Sequence, residues 1–381
     1  MSTITLPLIA CCALSCAAIG AAAEAPRGRD APETPAPLVE MAILLDVSGS
    51  MDGLIDQARS RIWTVVNELA ATTRDGRTPD LRLALYAYGM NGQAEAGHMQ
   101  QMLPLTDDLD AISAALFALK TSGSNEYCGQ VLARAVDELA WSSGDSYRAI
   151  FIAGNESFAQ GPVEAHAICQ RAIARGIVVN TIHCGSEADG RNHGWHEPAR
   201  LADGKSLNID QNQTQVAIAA PQDQRIAELN ARLNRTYLAY GQKGAASHQR
   251  QVAEDSNAAA ASPSSVAQRA KAKSSKLYSN AQWDLVDAAT DDGTVVEQME
   301  VEALPAEMQA MTVAERKAYV AEKAAERATV QAALTKLVSE RDTFIAAEKK
   351  RLAIDESSGF EAAAQAALQE QLAERGFVTA E

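Results

Sequence analysis

The stretch that decides the fold is residues 39–50, Val-Glu-Met-Ala-Ile-Leu-Leu-Asp-Val-Ser-Gly-Ser. Its first seven residues, Val39 to Leu45, are almost continuously apolar, which is typical of a strand buried on both faces in a parallel sheet. The polar turn from Asp46 to Ser50 ends this strand. Apolar residues then recur at steps of three and four up to Leu69, a spacing that predicts an amphipathic helix.

Strands and helices keep alternating after this first unit. Further strands are predicted at 81–88, 148–153 and 177–183, and helices at 109–119, 129–141 and 163–175. Because parallel neighbours need crossover connections, this order predicts an α/β fold with a doubly wound, mostly parallel sheet and helices on both faces. Ligands of such sheets bind at the carboxyl ends of the strands. The loops expected to carry function, called the top loops below, are residues 46–53, 122–128, 153–161 and 184–197.

A change of composition after the sheet predicts a second, helical part of the chain. Residues 216–290 begin with a helix, but 241–275 are rich in Ala, Ser, Gln and Lys, so a mobile or weakly helical low-complexity linker is expected there. Residues 291–381 are dominated by Ala and charged residues, with an apolar 3-4 spacing over 330–344. This pattern predicts a helical hairpin or short coiled coil, with Gly359 near its turn.

The beginning of the chain predicts its compartment. Residues 4–23 are uncharged and apolar and end in small residues, which is the pattern of a secretory signal. We therefore predict a signal peptide at 1–23, a Pro-rich tether at 24–37, and a periplasmic or secreted protein. An uncleaved membrane anchor, or a lipid anchor on Cys11 or Cys16, is the alternative, and contact with a membrane is expected only through such an anchor.

The overall charge argues against one class of partner. The 381 residues contain 34 Lys and Arg against 49 Asp and Glu, a formal net charge of -15. A protein that neutralises phosphates along a nucleic acid needs the opposite sign. Nucleic acid is therefore not an expected partner.

The turn after the first strand carries metal-binding chemistry. Asp46, Ser48 and Ser50 place one carboxylate and two hydroxyls at alternate positions. These are hard oxygen donors, the type preferred by Mg²⁺, Mn²⁺ and Ca²⁺. The same string also occurs as an ordinary capping turn, so its position after a buried parallel strand is what favours a metal site.

This loop, in this position, resembles the first metal loop of the von Willebrand factor A (VWA) domain, which has the pattern D-x-S-x-S. The resemblance covers residues 38–215 and implies a doubly wound sheet that binds another protein or an acidic ligand through a shared divalent cation. The family's second loop supplies a Thr, and the matching oxygen here would come from Ser124 or Asn125. Its third loop supplies an Asp, which Gly154 replaces in this chain, with Glu156 close by as a substitute.

These departures imply a compromised metal site. Affinity for hard cations follows the charge of the ligands, so a lost carboxylate predicts weak or absent Mg²⁺ binding unless Glu156 compensates. A Gly154→Asp variant is accordingly expected to respond more strongly to Mg²⁺ than the natural chain.

Three cysteines follow the signal region. Cys128 comes after the second top loop and Cys184 ends a strand at the same edge, so a disulfide between them is predicted for an oxidising compartment. Cys169 lies within a predicted helix among apolar residues and is expected to be a buried thiol. Without export, all three are expected to be reduced.

The chain lacks a recognisable catalytic pattern. It contains no nucleophile elbow, P-loop or dinucleotide-binding fingerprint, and the H-x-x-H spacing of His193 and His196 lies in a Gly-flanked loop without an evident third zinc ligand. The predicted function is a non-enzymatic protein-binding or scaffolding module with an unidentified protein partner at the top loops. The alternatives are an envelope enzyme or enzyme accessory acting at the same face, and a structural protein with a vestigial metal site.

Overall fold

A six-stranded sheet lies at the centre of the computed structural model, which describes residues 36–92, 97–209, 218–353 and 360–379. The strands are β1 (Leu38–Asp46), β2 (Thr72–Thr73), β3 (Asp80–Tyr88), β4 (Met99–Thr106), β5 (Tyr147–Gly154), β6 (Ile177–Cys184), β7 (Ser206–Ile209) and β8 (Val378–Thr379). The main sheet has the order β4-β3-β1-β5-β6-β7, in which only β4 is antiparallel to its neighbour. The short strands β2 and β8 pair with each other.

Helices cover both faces of this sheet. They are α1 (Asp52–Ala70), α2 (Leu109–Ala118), α3 (Cys128–Glu138), α4 (Ala165–Ala174), α5 (Glu187–Asn192), α6 (His196–Leu201), α7 (Asp223–Asn234), α8 (Gly241–Ala261), α9 (Pro263–Ala272), α10 (Leu285–Asp291), α11 (Val295–Gln298), α12 (Val313–Arg351) and α13 (Phe360–Glu374). The predicted doubly wound, mostly parallel α/β sheet is therefore confirmed.

The side chains of the central strands alternate between two apolar layers. On β1, Met41 and Leu45 face the front layer, which also contains residues of α1, α2, α7, α9, α12 and α13. Ala42 and Leu44 face the back layer, which α3 and α4 cover. This alternation follows from the period of two along a strand, and burial on both faces explains why the first strand is almost continuously apolar.

The edge strand β4 is not evident in the sequence. It contains Pro104 and two exposed glutamines, Gln100 and Gln101, and its pairing with β3 is irregular. Proline cannot donate to a ladder of hydrogen bonds and is confined to sheet edges, so the position of β4 is consistent with its composition.

Of the two alternatives predicted for the linker, mobile or weakly helical, the structure has helices, and they pack against the core. Residues 241–261 and 263–272 form the helices α8 and α9, which pack against α2 and α1 respectively. The small side chains of Ala267 and Ala270 are fully buried in the front layer. Alanine has the highest intrinsic helix propensity and its small side chain lets helices pack closely, so a lack of large apolar residues does not prevent this part of the chain from joining the core.

The C-terminal helices are confirmed, but they pack against the rest of the molecule. Val330 and Leu334 are buried as the spacing predicts, and α12 contacts α7, α9 and α10. Helix α13 contacts α1 and β7. Ala36–Glu381 accordingly forms a single compact unit, within which the predicted boundaries at 215 and 290 lie. The predicted turn at Gly359 lies outside the described residues.

The N-terminal predictions also fall outside the described residues. This holds for the signal peptide at 1–23 and for the tether as far as residue 35. None of the helices in the described ranges is long and apolar enough to cross a membrane.

The predicted disulfide is absent, and the sheet itself separates its two cysteines. Cys128 belongs to the back layer and Cys184 to the front layer, and both are buried free thiols. Cys169 is a buried free thiol as expected. Although Cys128 and Cys184 lie near the same edge, a side chain on one face of a sheet cannot reach a partner on the other face.

Candidate functional site

The loop after β1 forms a compact cluster of oxygen atoms. Asp46 is fully buried at the end of the strand, and its Oδ1 accepts a hydrogen bond of 2.7 Å from the backbone N–H of Ser48. The Oγ atoms of Ser48 and Ser50 lie 3.2 Å apart. Asp46 Oδ2 is buried and has no hydrogen-bond partner. The structure thus brings together the three residues that the sequence predicts.

The second top loop packs directly against this first loop. The backbone N–H of Ser122 donates to the carbonyl of Val47 at 2.7 Å, and that of Gly49 donates to the carbonyl of Gly123 at 3.3 Å. These bonds fix how the second loop presents its side chains to the cluster. The predicted ligands of this loop, Ser124 and Asn125, are both exposed.

Glu126 is the side chain of the second loop that reaches the cluster. It is only 5% exposed, its Oε2 has no hydrogen-bond partner, and its backbone N–H donates to Oε1 of Gln160. Sequence analysis missed Glu126 because the VWA resemblance directed attention to hydroxyl and amide oxygens. A signal was nevertheless present, since an acidic residue just before the apolar helix α3 is placed to face its positive end.

Gly89 allows the carboxyl groups to approach one another. It has a φ of 80°, and a Cβ at this position would lie 2.6 Å from Asp46 Oδ1 and 3.3 Å from Glu126 Cγ. Any larger residue would therefore push into the cluster as well as adopt a strained backbone. Gly89 follows β3 directly, so a third strand end contributes to the site.

A side chain at position 154 of the third top loop would collide with Tyr88. A Cβ on Gly154 would lie 2.5 Å from the Tyr88 hydroxyl and 3.3 Å from Asp46 Cβ. Tyr88 is buried, and its hydroxyl donates to the carbonyl of Ala153 at 2.9 Å. Gly154→Asp would therefore have to displace the Tyr88 hydroxyl before its carboxylate could reach a cation, and its stronger response to Mg²⁺ stays a prediction.

The rest of the third loop supports the cluster from its rim. Asn155 Nδ2 donates to Ser50 Oγ at 3.0 Å, and Asn155 Oδ1 is buried without a partner. The rings of His183 and His193 both lie within hydrogen-bonding distance of the Asn155 carbonyl. Glu156, the predicted substitute ligand, is exposed, while its carbonyl accepts a bond from Trp195 Nε1.

The carboxyl groups of the site disfavour one another's ionisation. Burial raises the pKa of Asp46 to about 6, and the nearby charge of Glu156 adds to this shift. Burial and the charge of Asp46 raise the pKa of Glu126 to about 8. Removal from water and like-charge repulsion both penalise the ionised form of a carboxyl group. The raised pKa values therefore indicate that no nearby positive charge compensates for these penalties.

The donor set fits a hard divalent cation. Two buried carboxylates, each with an unbonded oxygen, lie beside two hydroxyls, and Mg²⁺, Mn²⁺ and Ca²⁺ prefer such ligands. In the part of the chain that the structure describes, no group of three or more His, Cys, Asp or Glu side chains could hold a metal ion. The residues available for a cation are therefore Asp46, Ser48, Ser50 and Glu126, with water completing the coordination.

Comparisons with known proteins add a likeness to solved structures. No family model matches the chain, and no match was found among curated proteins. The conserved hypothetical protein BatB from Bacteroides thetaiotaomicron matches at 18% identity and a TM-score of 0.36, over 45% of this chain and 90% of that chain.

Two further matches carry VWA or metal-site descriptions. The SpRpn10 VWA domain matches at 16% identity and a TM-score of 0.33, over 47% of this chain and 100% of that chain. Proximal thread matrix protein 1 from the mussel byssus, described with a zinc-occupied MIDAS motif, matches at 12% identity and a TM-score of 0.32. That match covers 45% of this chain and 42% of the mussel protein.

Proposed function

We propose that this protein is a protein-binding module that engages its partner through the top loops with the help of a divalent cation. The observation that carries the proposal is the pair of buried carboxylates, Asp46 and Glu126, whose unbonded oxygens lie beside the hydroxyls of Ser48 and Ser50. The cation is Mg²⁺, Mn²⁺ or Ca²⁺, since all donors are oxygen atoms.

A cation would resolve the two unfavourable features of this cluster. Buried polar atoms without partners are rare in folded proteins because each loses its bonds to water without replacement. When both carboxyl groups are ionised, Asp46 Oδ2 and Glu126 Oε2 are such atoms. A divalent cation would coordinate both oxygens and would also offset the repulsion between the two carboxylates. The cation would therefore stabilise this arrangement of the loops.

Each residue of the site has a distinct part in this proposal. Asp46 and Glu126 would supply the charge that holds the ion, and Ser48 and Ser50 would supply neutral oxygens. Asn155 positions Ser50 through its hydrogen bond to Oγ. The exposed side chains of Ser124, Asn125 and Glu156 would surround the ion and face the partner.

Binding is favoured over catalysis by the hydrogen bonds of the loop. A serine nucleophile needs an adjacent base to take its proton. Ser50 Oγ accepts a bond from Asn155 and lies beside the hydroxyl of Ser48, and the neighbouring carboxylates of Asp46 and Glu126 would be engaged by the cation. Two of the histidines at this edge, His183 and His193, face the Asn155 carbonyl. We place the protein in the periplasm or outside the cell, on the strength of the signal-like segment at 4–23.

Partner capture with and without the cation tests this function. The mature protein would be immobilised and exposed to an envelope extract in Mg²⁺ or in EDTA, together with Glu126→Gln and a matched Glu322→Gln variant from the exposed surface of α12. We expect one specific partner to bind the natural protein and Glu322→Gln in Mg²⁺, and to be lost in EDTA and with Glu126→Gln. Equal capture under all four conditions would refute the proposal.

A further inference from the structure

We propose that the partner presents a basic side chain, an arginine or lysine, to Glu156 at the rim of the site, and not a carboxylate to the cation. This inference rests on the proposed function, because it names the chemistry of the partner at the same loops. It departs from the acidic ligand that the VWA resemblance implies.

The first step is the charge of the site itself. Asp46 and Glu126 bring two negative charges to a divalent cation, so the loaded cluster is electrically neutral. The buried oxygens of these two residues without hydrogen-bond partners are the positions at which the proposed cation would bind. A cation whose charge is already matched attracts a further carboxylate only weakly.

The second step is the charge of the surroundings. The four top loops contain seven acidic side chains and one arginine, Arg191. Arg191 is paired with Glu187 at 2.7 Å, and Glu197 is paired with Arg200 from α6. Among the described residues no ion pair involves Glu156, so this exposed carboxylate is available to a partner at the rim.

The third step compares two kinds of partner at this rim. A carboxylate from a partner would meet the negative charge of Glu156, and like charges brought together across an interface cost several kcal/mol. A guanidinium would instead find the exposed carboxylate of Glu156. Arginine has five donors in a planar fork, which suits bidentate binding of a single carboxylate.

The test compares two short peptides on the same isotope-labelled, full-length mature protein. Acetyl-Gly-Ser-Arg-Ser-Gly-amide and its counterpart with Asp in place of Arg would be titrated in saturating Mg²⁺, with amide shifts recorded by NMR. We expect only the Arg peptide to shift the amides of Ser50, Asn155 and Glu156. Glu156→Gln should weaken this binding by about tenfold, since a charged hydrogen bond contributes ~1.5 kcal/mol.

Controls separate this inference from general attraction and from the proposed function. Glu322→Gln removes the same charge from α12 and should leave Arg-peptide binding unchanged. Equal weakening by both variants would overturn the inference, because it would show that the Arg peptide responds to the net charge of -15 and not to Glu156. Preference for the Asp peptide, or no shift with the Arg peptide, would also overturn it. A prior Mg²⁺ titration that leaves the amides of Ser48 and Glu126 unmoved would refute the proposed function itself.

Discussion

At the scale of single residues, Tyr88 and Gly154 determine which loop provides the second carboxylate. The buried Tyr88 hydroxyl lies where a side chain at 154 would begin, and it is held there by the carbonyl of Ala153. The third loop therefore contributes backbone and an amide, while Glu126 of the second loop contributes the charge. Gly89 allows this arrangement because it leaves room for Glu126 beside Asp46.

A double-mutant cycle tests this steric relation. Gly154→Ala should destabilise the protein by ~1–3 kcal/mol, the usual cost of overpacking a core, because its Cβ would meet the Tyr88 hydroxyl at 2.5 Å. Tyr88→Phe alone should cost about 1 kcal/mol for the lost hydrogen bond. Denaturant unfolding should show that the double variant is more stable than the sum of the two losses predicts. Simple additivity would mean that Tyr88 does not exclude a side chain at 154.

Three of the four proposed cation ligands could be predicted from the sequence, and the fourth, Glu126, could not. Asp46, Ser48 and Ser50 lie within five residues, so their proximity follows from the local turn. Glu126 joins them only because Ser122 bonds to Val47 and so orients the second loop. No spacing in the sequence encodes that contact, and the choice between Ser124, Asn125 and Glu126 needed the tertiary structure.

At the scale of elements, the buried guanidinium of Arg269 joins α9 to α1, the helix that follows the Asp46 loop. Arg269 on α9 is 1% exposed and stacks over the ring of Trp63 on α1 at 4.6 Å. Its guanidinium also pairs with Asp110 of α2 at 2.8 Å and with Asp255 of α8 at 2.5 Å. The Arg269 side chain thus links four helices, α1, α2, α8 and α9.

Removal of this cation should be costly. Arg269→Ala would leave Asp110 without its ion-pair partner and Asp255 with Lys273 alone. The loss of one partner of a buried pair costs ~3–5 kcal/mol. Urea unfolding should show this loss. Arg225→Ala, which breaks the exposed pair with Glu228 on α7, should change stability by ~0.5 kcal/mol or less. Similar effects of the two variants would show that the Arg269 cluster does not hold the helices.

A second buried cluster, between α10 and α12, should make stability depend on pH. Burial and the neighbouring charge of Asp284 raise the pKa of Asp287 to about 6 from its ordinary value of 3.8, despite its ion pair with Arg327. The folded state therefore binds more protons than the unfolded state between these values, and the contribution of Asp287 to stability falls as pH rises from about 4 to about 6.

The variant Asp287→Asn isolates this contribution. It cannot titrate, so the fall in unfolding free energy between about pH 4 and pH 6 should be smaller than in the natural protein by ~1–3 kcal/mol. Asp291→Asn, at the exposed end of the same helix, controls for loss of a carboxyl group from α10. A slope as steep in Asp287→Asn as in the natural protein would contradict this account.

The elements themselves were predictable to different degrees. Strands β1, β3, β5 and β6 are apolar on both faces, so the sequence marks them clearly. Helices α8 and α9 lack that signal because they enter the core through alanines and through polar contacts such as Arg269 with Asp255. Burial of paired charges depends on partners far apart in the chain, which composition alone does not reveal.

At the scale of the whole molecule, the sheet and the C-terminal helices share one core. The front layer includes Val330 and Leu334 of α12 and Leu368 and Leu372 of α13, together with β-strand residues such as Met41. A VWA-like region that ended near residue 215 would leave this layer open to water. The C-terminal part therefore belongs to the fold and is not an appendage.

Truncation tests this claim. A chain of residues 36–240 should be insoluble or should lack cooperative unfolding, because removal of α8 to α13 exposes much of the front layer. A chain of residues 36–381 is the control, since Ala36–Glu381 forms the single unit described above. Thermal unfolding followed by near-UV circular dichroism would compare the two. A sharp transition in the shorter chain would show that the sheet region folds alone.

The central claim is that Glu126 supplies the second carboxylate of a cation site built around Asp46. Calorimetric titration of Mg²⁺ into the natural protein, Glu126→Gln and Glu156→Gln tests it most directly, because the two variants lose the same charge from neighbouring loops. We predict binding to the natural protein, a loss of about tenfold or more in affinity with Glu126→Gln, and nearly natural affinity with Glu156→Gln. Natural affinity in Glu126→Gln, with the loss confined to Glu156→Gln, would contradict the account.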